Sequence, residues 1–274
     1  MPSDARAAGT VIPLLDTGEA TVRRLRRRSL ANLARMGHCA PTVMQTLLDA
    51  SEVEAQWLVK ATAGLPGGIG NTGDECGGVT APLMLLGLRH ARDPLDRGVP
   101  VVVYKGHDLL QRFTACHGTA LCREIRGHDR LPLRCVGVVR HAPEGYCQTL
   151  TQECGDAIPG ECREAYGRLY AHFVEHGFHC AQEVLTQLRP AMPVDGALLD
   201  AASGFIGGTV LTGRTCSAFT AGVMALVARG AVERSRLRVL RMIGLMAAWV
   251  LFNRAFDPVF TVALNALYPG AGYR

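Results

Sequence analysis

Ten cysteines run through this chain of 274 residues, and several stand at positions where a thiol acquires chemistry. Cys39, Cys76, Cys122 and Cys180 each lie where loop residues give way to a helical pattern, as in Cys39 followed by APTVMQTLLDA, with Pro41 near the first helical position. A helix start presents unpaired N–H groups and the positive end of the helix dipole, which favour an anion and lower a thiol's pKa. Such a cysteine suits a metal ligand or a reactive thiolate. The N-terminal stretch MPSDARAAGTVIPLLDTGEATVRRLRRRSL sets its apolar patch before its arginines, the reverse of an export signal, so the chain is read as cytoplasmic. Cytosolic thiols stay reduced, which turns a cysteine-rich chain toward metal, cluster or thiol-redox chemistry and away from a disulfide framework. For any single cysteine the competing reading is a small buried hydrophobe.

The sequence aligns with itself at an offset of 140. GLPGGIGNTGDEC at 64–76 faces GFIGGTVLTGRTC at 204–216, and the pairs Thr80/Thr220, Ala81/Ala221, Met84/Met224 and Leu86/Leu226 extend the match. Upstream, Cys39-Ala40 and Cys180-Ala181 each open an apolar helical pattern. The chain therefore reads as a tandem duplication of one unit: helix, Gly-rich loop, cysteine, helix. Three segments follow: a basic N-terminal stretch (1–34), a first unit carrying the full cysteine set (35–160), and a degenerate second unit with further helices (161–274). In the first loop, Gly67, Gly68 and Gly73 are expected to let backbone amides approach a sulfur or a bound anionic cluster.

GHCAPTV at 37–43, GLPGGIGNTGDECGGVTAPLMLLG at 64–87 and LCREIRG at 121–127 resemble the C-GCAxxG-C-C family of four-cysteine, redox-active proteins. The resemblance maps the family's first three cysteines onto Cys39, Cys76 and Cys122. For the fourth it offers Cys147 in GYCQTL, with Cys135 as the rival. Gly78 and Ala81 exchange the family's usual Ala and Gly, and no cysteine follows Cys216 in the second copy, which cannot form a four-cysteine site alone. A related domain in split-Soret cytochromes looks like an iron–sulfur module. The resemblance thus implies a cluster held by Cys39, Cys76, Cys122 and Cys147, transferring electrons to a redox partner protein. Zinc in the same thiolates is an alternative, weakened by the lack of close CxxC pairs, and a reversible Cys39–Cys76 disulfide is another. Absence of CxxCH excludes ordinary covalent haem attachment in this sequence.

The elements that must hold these thiols are mainly helical. At 48% hydrophobic and 6% aromatic, with 31 glycines, the composition favours closely packed Ala, Val, Leu and Met, and an all-α fold. The one strand-like run is Val99–Tyr104, inside a stretch (88–108) read as a connecting excursion. Net charge is +5 with most of the excess in the first 35 residues, which argues against nucleic-acid binding over a wide face; Arg23–Arg28 reads as a solvated basic surface. The apolar run Met242–Phe252 is too short to span a bilayer and reads as a buried helix. The GxGxxG at 68–73 lacks the strand that a dinucleotide site requires. His172 and His176 are spaced for an i, i+4 metal pair, and His38 and His117 adjoin cysteines, although solvated histidines are the commoner case. A homo-oligomer is left open.

Overall fold

Val99, Val102 and Val103 introduce the main departure from these expectations: they lie on a helix. β-branched residues disfavour helix by a fraction of a kcal/mol each, whereas burying each side chain returns about 1.5–3 kcal/mol, so packing decides. All three are at most 1% exposed. The computed structural model describes residues 18–91, 95–127, 133–151, 159–176, 179–191, 194 and 196–230. These form α1 (Glu19–Met36), α2 (Cys39–Ala50), α3 (Gln56–Ala61), α4 (Gly77–His90), α5 (Leu95–His117), α6 (Cys122–Arg126), α7 (Leu133–Leu150), α8 (Gly160–His176), α9 (Cys180–Leu188), α10 (Gly196–Ala202) and α11 (Ser217–Gly230). Short 3₁₀ turns follow α3 (Thr62–Gly64) and α10 (Ser203–Phe205). Among the described residues the fold is all-α, and its one β feature is an isolated antiparallel bridge between Glu75 and Leu121. The apolar run at 242–252 lies outside the described residues; within them, no helix is long and apolar enough to cross a membrane.

α4 forms the centre. Apart from Arg89 every residue in it is buried, as its nearly unbroken apolar sequence requires, and α2, α5, α7 and α10 pack around it. α1 is the opposite case. It buries only Leu25, Ser29 and Asn32, and is tied down by polar contacts: Ser29 Oγ donates to the Val139 carbonyl at 2.6 Å, Asn32 Nδ2 to Asp49 at 3.0 Å, and Arg26 pairs with Glu144 at 2.8 Å.

The two sequence copies have matching backbones. Gly70 N–H donates to Gly64 O and Val210 N–H to Gly204 O; Gly73 N–H donates to Gly67 O and Gly213 N–H to Gly207 O. Thr72 and Thr212 hydroxyls return to Gly68 O and Gly208 O. The left-handed residues recur as well, so that Ile69, Gly70 and Asn71 at φ 39°, 70° and 64° face Thr209, Val210 and Leu211 at 60°, 48° and 61°. Replacing Gly70 by Val210 thus keeps a backbone that only glycine adopts without strain. The copies also pack reciprocally: a Cβ on Gly64 would lie 2.5 Å from Val223 of α11, and one on Gly204 would lie 2.5 Å from the Leu83 carbonyl of α4. Positions 64 and 204, and likewise 83 and 223, are partners at the offset of 140.

Candidate functional site

α2 begins at Cys39 and α4 is capped by Cys76, so packing these helices together brings two thiols to adjoining helix starts. The approach depends on Gly77. A Cβ there would stand 2.6 Å from Cys39 Sγ and 2.8 Å from both the nitrogen and the Cβ of Ala40. The second copy has Ser217 at this place, which carries the atom that the first copy excludes.

Cys39 is half-buried and Cys76 is 4% exposed. Hydrogen bonding with the Cys76 thiol, and the nearby amides of Gly67, Ala40 and Cys39 itself, favour the charged form of the Cys39 sulfur. Together these outweigh burial and bring the Cys39 thiol down from 9.0 to about 7. Cys76 moves the other way: the hydrogen bond to Cys39 and burial hold its proton well above the ordinary thiol range. One sulfur is prepared as a thiolate and its neighbour as the thiol that supports it.

Two further sulfurs belong to this group. Cys122 opens α6 and is joined to Cys76 through the bridge: Cys76 N–H donates to Ala120 O at 2.9 Å, Cys122 N–H to Asp74 O at 2.6 Å, and Arg123 N–H to Gly73 O at 2.9 Å. Burial first, then the negative charge on Cys39, then Cys135, push Cys122 up to about 11, against the pull of Arg126. Cys135, in the first turn of α7, is raised by burial and by the same charge on Cys39. The charge on Cys39 therefore acts on Cys76, Cys122 and Cys135.

Cys147, placed in the ligand set by sequence, stands apart from them. It lies on the same helix as Cys135 but twelve positions on, about 18 Å at 1.5 Å per residue. It is fully buried, and burial followed by the neighbouring Glu144 carboxylate pushes it up to about 12. Its surroundings are those of a core residue.

The glycines differ in what they do. Gly67, at φ 73°, packs so tightly on Asn71 that a Cβ there would lie 2.2 Å from Asn71 Oδ1. Gly68, at φ 79°, brings the chain so close to itself that a Cβ would lie 2.4 Å from the Asp74 nitrogen, and Gly73 at φ 84° admits the Arg123 side chain. Both shape the loop. The GxGxxG there follows a 3₁₀ turn and not a strand.

The remaining candidates lie elsewhere. Cys116 and Cys216 are exposed, Cys162 sits on α8 beside Tyr166, Cys180 opens α9, and Cys154 lies outside the described residues. His172 and His176 share α8, but the His176 side chain is outside the described set. His38 caps α2 and His179 caps α9; burial lowers both, His179 to about 4, and His179 Nδ1 accepts from Gln182 N–H at 3.4 Å. His117 is lowered by burial and then by His141. Among the described residues no group of three or more His, Cys, Asp or Glu side chains is placed to hold a metal ion, so the four sulfurs do not fit a single zinc as they stand.

The sequence reading passed over Glu75. This carboxylate is fully buried and accepts from Thr209 Oγ1 at 3.0 Å, from Thr215 N–H at 3.1 Å and from the Thr215 hydroxyl. An acidic residue beside a cysteine and absent from the second copy was the available signal.

Residues 37–159 match the model of a family described as "Putative redox-active protein (C_GCAxxG_C_C)". This segment is similar to that family. The C_GCAxxG_C_C segment takes in α2 through α7 and ends before α8, so it contains all four interacting sulfurs and Cys147 besides. Thr209 and Thr215, which bind Glu75, lie beyond it. No curated protein and no solved structure matches the chain.

Proposed function

We propose that this protein is a thiol–disulfide redox protein in which the Cys39 thiolate attacks and the Cys76 thiol resolves. The Cys39 sulfur attacks one sulfur of a partner protein's disulfide, forming a mixed disulfide and releasing the partner's other sulfur as a thiolate. Cys76 then loses its proton, to that leaving thiolate or to water, and attacks Cys39 Sγ. A Cys39–Cys76 disulfide forms, the second partner sulfur leaves, and two electrons have passed to the partner. The observation that carries this reading is the close approach of α2 and α4, where a Cβ on Gly77, the residue after Cys76, would fall 2.6 Å from Cys39 Sγ, beside a Cys39 thiol lowered to about 7.

A second reading draws on the electrostatic contact of Cys39 with Cys76, Cys122 and Cys135: these four would ligate an iron–sulfur cluster, with Cys135 replacing Cys147. Such a cluster would supply one-electron transfer, and the chain's part would be to hold four thiolates. The matching loops at 64–76 and 204–216 support descent of the two units from one duplicated ancestor, divided near residue 160.

Oxidant titration with mass-spectrometric mapping separates the readings. A Cys39–Cys76 linked peptide that appears and disappears reversibly supports the first. Its absence under every oxidant, with iron and labile sulfide in anaerobically purified protein, replaces the first by the second.

A further inference from the structure

A buried carboxylate is costly unless its lone pairs are met, and among the described residues the donors to Glu75 are Thr209 and Thr215 of the second copy. Its main chain serves the first copy. Residue 75 forms the bridge to Leu121 that aligns Cys76 with Cys122, and it directly precedes the cysteine whose thiol supports Cys39. The side chain and the backbone of one residue thus join the second Gly-rich loop to the sulfur group.

We infer that Glu75 is a positioning residue for the Cys39–Cys76 pair and that the second loop, through Thr209 and Thr215, is a working part of that site. The inference rests on the thiol–disulfide reading and adds that the C_GCAxxG_C_C segment needs residues outside itself. Positions 75 and 215 are partners at the offset of 140 and lie against each other. Glutamate at both would bury two carboxylates against each other; threonine at 215 supplies two donors instead. The Thr209 hydroxyl supplies a third, where its first-copy partner is Ile69. When these donors are lost, the carboxylate moves toward water and draws residues 74–76 with it, so Cys76 leaves Cys39.

The full chain tests this, using the pH dependence of Cys39 alkylation by iodoacetamide, read by peptide mass spectrometry. In the wild type the midpoint is expected near 7. In Thr209→Val/Thr215→Val, which removes both hydroxyls and little volume, it rises by about one unit or more, lowering the thiolate fraction at pH 7 from about a half to about a tenth or less. Thr215→Ser, which keeps the hydroxyl, leaves the midpoint in place, and the single Thr209→Val serves if the double variant fails to fold. A folded Thr→Val variant with an unmoved midpoint overturns the inference and leaves the thiol reading intact. So does a Thr215→Ser variant displaced as far as the valine. A wild-type midpoint near 9 overturns both.

Discussion

Substituting Gly77 tests the thiol pair most directly, because there the structure supplies both the perturbation and its size. In Gly77→Ala the new Cβ falls 2.6 Å from Cys39 Sγ, about 0.8 Å inside the closest ordinary contact of 3.4 Å, and 2.8 Å from the Ala40 nitrogen. Backbone cannot yield there without shifting α2. Cys39 therefore moves off, and the hydrogen bond from Cys76 breaks. Overpacking of this kind costs about 1–3 kcal/mol, part of it offset by alanine's better helix propensity, so the fold survives. Without that bond, the largest influence lowering it, the Cys39 pKa returns from about 7 toward 9.0. At pH 7 the thiolate fraction then falls from about a half to about 1%, a loss of about fifty-fold. A more basic thiolate is also a better nucleophile, by about 6- to 10-fold over two units, so the alkylation rate at pH 7 falls only about 5- to 8-fold. Above pH 9.5, where both proteins are ionised, the same factor makes the variant the faster one. Iodoacetamide rates at Cys39 from pH 5.5 to 10 would show the two profiles crossing near pH 8. Gly222→Ala, where a Cβ meets nothing within 4 Å, is the control. A folded Gly77→Ala protein whose midpoint stays near 7 would refute the argument that close approach of α2 and α4 lowers the Cys39 pKa.

Three further outcomes are expected. If the sulfurs ligate a cluster, Cys135→Ser should reduce bound iron and the visible absorption severalfold while Cys147→Ser leaves both near wild type; equal losses would return Cys147 to the site. Gly68→Ala places a Cβ 2.4 Å from the Asp74 nitrogen at a left-handed φ, and should cost about 3 kcal/mol or more in urea unfolding; a loss under 1 kcal/mol would show that the loop relaxes freely. His179, lowered from 6.5 to about 4 by burial, stabilises the fold in its neutral form. That contribution is complete above pH 6.5 and is lost as pH falls toward 4, up to about 3 kcal/mol, since only the unfolded chain takes the proton readily. His179→Asn keeps a cap acceptor and should flatten the dependence of the urea midpoint between pH 7 and 4.5; an unchanged slope would place the titration elsewhere.

How far the sequence revealed this molecule depended on whether the signal was local. The helix starts at Cys39, Cys122 and Cys180, and Cys76 ahead of α4, were legible because loop glycines and apolar periodicity change within a few residues. The Val99–Tyr104 run misled because β-branched composition is a weak local preference, and burial on a helix outweighed it. The sequence left open whether Cys135 or Cys147 joins the other three. Cys135 and Cys147 both follow Cys122 at spacings a loop can span, and only the helix carrying both shows that one lies at its first turn and the other inside the core.

Glu75 shows how a reading by likeness can mistake a fit for decay. Compared along the sequence, Thr215 in place of Glu75 reads as damage in the second copy. In the fold, position 75 lies against position 215, so glutamate at both would place two carboxylates side by side. Identical glutamates would repel in a buried contact, whereas one carboxylate with three donors is satisfied. Ser217 follows the same logic from the other side. The close helix approach that Gly77 permits has no counterpart at Ser217, which carries a side chain where residue 77 has room for none.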